Sequence, residues 1–306
     1  MRHLASLLDV TAEEIGEVLD LASSLKTNWL AGERPDRLGG RVLTQVFEKP
    51  SLRTRASFSA AMAHLGGSSQ FFSAADAGLG GRESLEDVAR VISGYSDVLV
   101  LRTFSQQTIE QFAAVASCPV VNALSDDRHP CQALTDLLTI REIFGDLAGR
   151  RLVFVGDGNN IARSLAIACG RMGLAMTLSA PAGYEFEEEF LELLHEQMPG
   201  ATVTQVADPA VAVTDADVVY TDVWASMGQE EEKTERQQAF AGYQVNAGLM
   251  SRAPDGCRFM HDLPARRGLE VTDEVIDGPQ SVVFDQAENR MHLAKGLLLW
   301  LLDRAG

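Results

Sequence analysis

Hydrophobic residues fall into two alternating patterns along this chain: short runs rich in Val, Leu and Ile, and longer stretches with apolar positions three and four residues apart. The first pattern marks buried strands, the second helices that cover them. Runs at 42–47, 69–72, 98–101 and 120–121 read as strands. Helices are expected from the end of the first to about residue 65, and over 84–95 and 107–115. A longer helix, 133–144, is followed by Gly145-Asp-Leu-Ala-Gly149, a loop signal in mid-chain. A second series then begins, with strands at 151–155, 176–180, 218–221 and 259–261, helices at 161–172 and 186–197, and an apolar helix at 288–302. Strand and helix in alternation build a parallel sheet covered on both faces. The expected fold is therefore α/β, with two doubly wound parallel-sheet domains joined by a linking helix. The first comprises residues 1–132 together with a C-terminal helix, 286–306, that crosses back onto it; the second comprises residues 149–285.

Length and charge narrow the functional classes. A chain of 306 residues suffices for about two domains, and 46% hydrophobic with 23% charged residues is ordinary for a soluble globular protein. No apolar run approaches a membrane span, and the first residues lead into an amphipathic, acid-rich helix over 11–25 without a secretory or transit signature, so a cytoplasmic location is expected. Twenty-six cationic against 43 anionic residues leave a net charge of −17, which repels nucleic acid and anionic membranes. An anionic ligand must then be gathered by a local cluster of arginines. Cys118, Cys131, Cys169 and Cys257 are scattered, which indicates neither a disulfide framework nor a zinc site.

One such cluster stands at 48–58, Glu-Lys-Pro-Ser-Leu-Arg-Thr-Arg-Ala-Ser-Phe. Pro50 keeps the preceding residues extended, Ser51 can cap a helix, and Phe58, Met62 and Leu65 recur at helical spacing. First-turn N–H groups, the helix dipole, Arg53 and Arg55 would together attract a phosphate dianion. Alone, the segment also fits a plain capped helix. Further polar groups stand at strand ends, where open α/β sheets bind ligands: Arg102, His129 with Gln132, and Asp222 ahead of Ser226-Met227-Gly228. Gly156-Asp-Gly158-Asn-Asn160 follows a strand and opens a helix, but Ile161 stands where a dinucleotide fingerprint needs its third glycine. That loop is read as a tight turn exposing Asn159 and Asn160 to a zwitterionic substrate. His261-Asp-Leu-Pro264 and Glu288-Asn-Arg290 complete a set of cations for a phosphate and carboxylates for an amine.

Taken in order along almost the whole chain, these segments, with Glu83–Asp87 and Gly268–Thr272, resemble the aspartate/ornithine carbamoyltransferase family, most closely its ornithine branch. The resemblance implies a carbamoyl-phosphate domain and an amino-acid domain that close around the substrates, trimers with sites at subunit interfaces, and no metal or organic cofactor. Carried onto matching positions, Ser51, Leu52, Arg53, Thr54, Arg102, His129, Gln132 and Arg290 would bind carbamoyl phosphate. Asn160, Asp222, Ser226, Met227 and Leu263 would bind ornithine. Arg102, His129, Thr54 and Asp262 would be catalytic. Three positions depart from the family pattern. Leu52 stands in place of the usual threonine, and acylornithine enzymes also tolerate an apolar residue there. Gly78 replaces a histidine or glutamine presented to the neighbouring subunit, a contact Arg82 could supply. Asp262 replaces a cysteine and could pair with the attacking amine or act as its base. An enzyme for another amine, such as an acylornithine or a diamine, and an inactive anion-binding homologue are the alternatives.

Overall fold

The computed structural model describes residues 1–79, 81, 83–225 and 232–303. It comprises two units, Met1–Thr139 with Glu288–Gly306, and Ile140–Ala287.

The first unit runs α1 (Ala12–Leu30), β1 (Val42–Phe47), α2 (Leu52–His64), β2 (Ser68–Ser73), α3 (Leu85–Ser93), β3 (Val98–Arg102), α4 (Gln106–Val115), β4 (Val120–Leu124) and α5 (Pro130–Phe144). Its strands are all parallel, in the order β2-β1-β3-β4. Thr11, Ser51, Ser84 and Ser105 accept hydrogen bonds from first-turn amides and so start α1, α2, α3 and α4. All of β3 is buried, as expected of a central strand covered on both faces. Val46, Leu99, Leu101, Ile109, Phe112 and Val120 form the core beneath it. From β1 the chain moves outward to β2 and then returns to the other side of β1 as β3. The crevice at the carboxyl ends of β1 and β3 is thus the switch point of this sheet.

The chain continues through β5 (Arg151–Val155), α6 (Asn160–Met172), β6 (Ala175–Ser179), α7 (Glu188–Gln197), β7 (Thr202–Gln205), α8 (Pro209–Ala212), β8 (Val218–Tyr220), α9 (Lys233–Ala239), α10 (Ala247–Met250), β9 (Arg258–Met260) and α11 (Asp273–Ile276) in the second unit, and ends in α12 (Val283–Asp303), most of which belongs to the first. The order β7-β6-β5-β8-β9, all parallel, puts the second unit's switch point at the carboxyl ends of β5 and β8. Strand β7 was not expected from the sequence. It is an edge strand with one apolar residue, Val203, and is held by pairing with β6 and by the Thr177–Thr204 hydroxyl contact at 2.9 Å.

Two helices start earlier than their apolar periodicity suggests. Pro130 opens α5, where a missing N–H costs nothing, so Gln132 lies in the first turn and not ahead of it. Helix α12 opens at Val283, which brings Gln286 into its first turns. The division between the units falls inside both helices.

The C-terminal part of α12 packs on α1. Trp300 Nε1 donates to Glu17 at 2.8 Å and Lys26 Nζ donates to Asn289 at 2.7 Å. Gly296 permits the approach: a Cβ there would lie 2.6 Å from the Val18 carbonyl oxygen and 2.7 Å from the Ala22 nitrogen. Both atoms are backbone and cannot step aside as a side chain would. Gly296→Val is therefore expected to lower unfolding stability by about 3 kcal/mol in urea titrations. A loss below about 0.5 kcal/mol would contradict so tight a crossing.

Candidate active site

The first switch point carries a cradle of donors. Ser51 has extended backbone and its Oγ accepts from the Thr54 amide at 3.3 Å, with the Thr54 hydroxyl 3.0 Å away. The side chain of Leu52 is 81% exposed, so only its amide can serve a ligand at the helix N-terminus. Arg55 lays its guanidinium over the Phe71 ring at 3.8 Å and does not join the cradle, whereas Arg53 is half-buried in the first turn. Arg102 ends β3 and is buried; its carbonyl accepts from the Glu48 amide at 2.8 Å, and the Glu48 carboxylate accepts from the Phe104 amide at 2.6 Å. The loops after β1 and β3 are thereby clamped to each other. Lys49 is a further cation here. Burial and then the Arg102 charge hold its pKa below the usual lysine value, and its ammonium lies over Phe104 at 4.6 Å.

His129 and Gln132 are both buried at the start of α5. Arg290, on α12, donates through Nη1 to Gln132 Oε1 and through Nη2 to Thr54 Oγ1 at 2.8 Å. Gln132 Nε2 donates in turn to Asp136 at 2.8 Å. Ser51, Thr54, Arg290, Gln132 and Asp136 are thus one continuous hydrogen-bonded chain. Cations, a helix N-terminus and hydroxyls around one crevice can hold a small dianion and stabilise charge developing beside it.

The second switch point is acidic. Asn159 caps α6, its Oδ1 accepting from Ile161 and Ala162 at 3.2 and 3.1 Å, and its Nδ2 donates to Asp222 at 3.0 Å. It is committed to the fold, contrary to the expectation that both asparagines face a ligand; Asn160 begins the helix, half-buried. Gly158 is required by close approach, since a Cβ would meet the Glu185 backbone at 3.0 Å. Asp222 is buried beside Asp262. Burial, followed by the Asp262 charge, pushes the Asp222 carboxyl well above the ordinary carboxylate range.

Behind this pair stands His261, wholly buried between two carboxylates, with Nδ1 3.4 Å from Asp262 and Nε2 3.3 Å from Glu270. Burial favours the neutral ring, but the hydrogen bonds of Asp262 and Glu270 prevail and push its pKa up to about 9. The Leu263 amide, in a left-handed residue (φ 57°), opposes them by claiming the Nδ1 lone pair at 2.9 Å. Gln286 accepts from the His261 amide at 3.0 Å and donates to the Tyr220 hydroxyl at 3.2 Å, fixing the strand end. Arg236 pairs with Asp157 at 2.5 Å and donates to the Trp224 carbonyl at 3.0 Å, tying the loop after β5 to the loop after β8.

In the first unit the structure joins Ser51, Thr54, Gln132 and Arg290 directly, with Leu52 and Arg53 in the same first turn of α2, Arg102 at the end of β3 and His129 just ahead of α5; in the second, Asp222, Asp262 and Leu263 adjoin His261, while Asn160 begins α6. Ser226, Met227 and Arg82 lie outside the described residues. Lys49, Asp136, His261 and Glu270 are residues of the site that the sequence pattern does not assign. The last two had a signal, since a buried histidine and a glutamate sit in adjoining segments already singled out, 261–264 and 268–272. Asp136 had none, lying in a helix with no loop residue beside it.

Comparison with known proteins matches the chain in two consecutive parts. Residues 2–142 match the carbamoyl-P binding domain of aspartate/ornithine carbamoyltransferase, and residues 148–301 match its Asp/Orn binding domain. The ornithine carbamoyltransferase of Bacillus subtilis (strain 168) is 48% identical over 303 residues, covering 98% of this chain and 94% of the relative. The anabolic ornithine carbamoyltransferase of Pyrococcus furiosus is 47% identical over 300 residues, covering 97% of this chain and 95% of its own. The solved structure of ornithine carbamoyltransferase from Pyrococcus furiosus superposes with a TM-score of 0.95 at 46% identity, covering 99% of this chain and 97% of that one. The anabolic enzyme from Campylobacter jejuni gives 0.93 at 35% identity, covering 99% of this chain and 100% of its own. With both halves matched in order and relatives aligned nearly end to end, the chain belongs to the aspartate/ornithine carbamoyltransferase family.

Proposed function

We propose that this carbamoyltransferase transfers the carbamoyl group of carbamoyl phosphate to the side-chain amine of ornithine, giving citrulline and phosphate. The observation that carries the reading is the opposite charge of the two crevices, cationic at the first switch point and acidic at the second. The acid pair suits an ammonium and disfavours aspartate, whose second carboxylate would confront Asp222.

The amine must first lose a proton, and we assign Asp262 as its acceptor. Its nitrogen lone pair attacks the carbonyl carbon, and the carbonyl electrons move to oxygen, where Arg102, His129 and Thr54 stabilise the oxyanion. Each such donor contributes about 3 kcal/mol by comparison with other enzymes. Collapse breaks the bond between carbon and the phosphate oxygen, and the extra proton on the nitrogen passes to the departing phosphate, leaving the neutral amide nitrogen of citrulline. Phosphate leaves into the cradle of Ser51, the Leu52 amide, Arg53, Thr54 and Arg290, while Gln132 holds the carbamoyl amide. Asn160, Asp222, Ser226, Met227 and Leu263 hold ornithine. No metal or organic cofactor takes part. Ligand atoms of Asp222, His261 and Asp262 do lie within 4.8 Å of one another. His261 in that trio is held between the Asp262 and Glu270 carboxylates, which favour its protonated form, so the cluster reads as a dock for an ammonium.

The reading extends to residues 1–132 with 286–306 as the carbamoyl-phosphate domain and 149–285 as the ornithine domain, in a cytoplasmic homotrimer serving arginine biosynthesis. Family likeness supports it, and among the described residues no helix is long and apolar enough to cross a membrane. The test is incubation with carbamoyl phosphate and a panel of ornithine, acetylornithine, succinylornithine, putrescine and aspartate, with products identified by mass. Citrulline as the preferred product is expected; preference for another amine would overturn the assignment. In the same assay Arg102→Ala should lower kcat by about 10² with an unchanged melting temperature. A loss below about threefold would remove Arg102 from the transition state.

A further inference from the structure

The two ends of an amide are chemically different, and both ends of Gln132 are committed to neighbours. Arg290 can only donate, so the atom it bonds must be the amide oxygen. The NH₂ group then lies on the other side, where it donates to the Asp136 carboxyl at 2.8 Å. Asp136 is fully buried, and Gln132 and Thr54 are 1% exposed. Arg290 is itself held by its second bond, to Thr54 in the first turn of α2, so it cannot swing away without loss. An inverted amide would set NH₂ against a guanidinium and an oxygen against a carboxyl, breaking two buried hydrogen bonds at once.

The result is a one-way amide. Its oxygen carries two lone pairs, and Arg290 uses one of them. Through Arg290, Thr54 and Ser51 that oxygen belongs to the chain that ends in the anion cradle, and it can accept an N–H but never donate.

We infer that Asp136 is a positioning residue that sets acyl selectivity: by fixing Gln132 as an acceptor, it admits an acyl phosphate whose acyl carbon bears NH₂ and disfavours one bearing a methyl group there. Asp136 acts only through Gln132, one residue removed from the cradle. The inference rests on the carbamoyl-phosphate reading and specifies how that site would reject the isosteric acetyl compound.

Two stable phosphonates test it, phosphonoacetamide, which ends in C(O)NH₂, and acetonylphosphonate, which ends in C(O)CH₃. Dissociation constants are measured by calorimetry on the full chain. The native protein should prefer the amide by about tenfold, since a methyl group leaves a buried acceptor unmet. Asp136→Leu removes the acceptor that orients Gln132 and should reduce the preference to about twofold, chiefly by weakening the amide ligand. Asp136→Asn retains an oxygen able to accept and should restore most of the preference. Where the leucine variant does not fold, Asp136→Ala, which asks for less room, is read in the same way. Equal weakening of both ligands would mark Asp136 as structural and overturn the inference, as would an undiminished preference. Citrulline formation by the native protein is assayed alongside. Citrulline without an amide preference defeats this inference alone, whereas no carbamoylated product of any amine defeats the functional reading with it.

Discussion

Arg290→Met should lower kcat/KM for carbamoyl phosphate by about 10³, since charge-assisted hydrogen bonds contribute roughly 1.5–3 kcal/mol each and this guanidinium makes two in a buried site. Methionine keeps most of the volume but removes the cation and both donors. It leaves Gln132 Oε1 and Thr54 Oγ1 without the partner that joins them. The damage should fall on one substrate, because Arg290 belongs to the unit that carries the cationic crevice. The KM for ornithine, measured at saturating carbamoyl phosphate, should stay within about threefold. Arg290→Lys restores the charge but not the fork, since one ammonium cannot match the geometry of two parallel donors, and should recover less than about tenfold. Steady-state kinetics on the three proteins decide it. If lysine restored full activity, charge alone would matter and the bridge from Thr54 to Gln132 would be incidental.

The sequence was most legible where one physical cause acts alone. Strand β5 was bounded correctly because Leu152–Val155 is a continuous apolar run, the signature of a sheet covered on both faces, and β1 because the apolar pairs Val42-Leu43 and Val46-Phe47 bracket it. The start of α2 was legible because Ser51 and Pro50 act locally. Legibility failed where a tertiary partner supplies what the local pattern lacks. Strand β7 has almost no apolar content and exists because β6 offers an unpaired edge. Helix α12 runs back to Val283 because Gln286 is used there, between His261 and Tyr220.

The candidate site divides in the same way. Arg102, His129 and Asp222 could be read off because each follows a strand, at a place where open sheets present groups to ligands. Asn159 could not be told from Asn160, because the choice depends on which of them caps α6 and reaches Asp222. Arg55 could not be told from Arg53 until Phe71 was seen beneath it. The supporting residue Asp136 was invisible because a buried carboxylate is recognisable only when the group it orients is in view.

The acid pair at the second switch point leads to the other large expected effect. Asp222→Asn should lower kcat/KM for ornithine by about 10², as loss of one partner of a buried ion pair costs roughly 2–5 kcal/mol. Asp262 should then govern the pH dependence. Because burial and the Asp262 charge raise the Asp222 pKa, the pair keeps a proton to a higher pH than an ordinary carboxylate would, and an ammonium docks well only once that proton is gone. The acid limb of kcat/KM for ornithine should therefore lie above the carboxylate range, and Asp262→Asn should move it down. Folding stability gives an independent check. A carboxyl with a raised native pKa binds its proton more tightly folded than unfolded, so its contribution to stability declines as pH rises from 3.8 toward that native value. His261, raised from 6.5 to about 9 in part by Asp262, contributes stability below 6.5 that is lost as pH rises through 9. Both slopes have the same sign, and removing the Asp262 charge flattens both. Urea midpoints for the native chain and Asp262→Asn should hence converge with rising pH if the variant starts lower, or separate in its favour if the two start equal. Parallel stability curves together with an unmoved acid limb would mean that Asp262 is electrostatically idle, and Asp222 would then have to dock the amine without it.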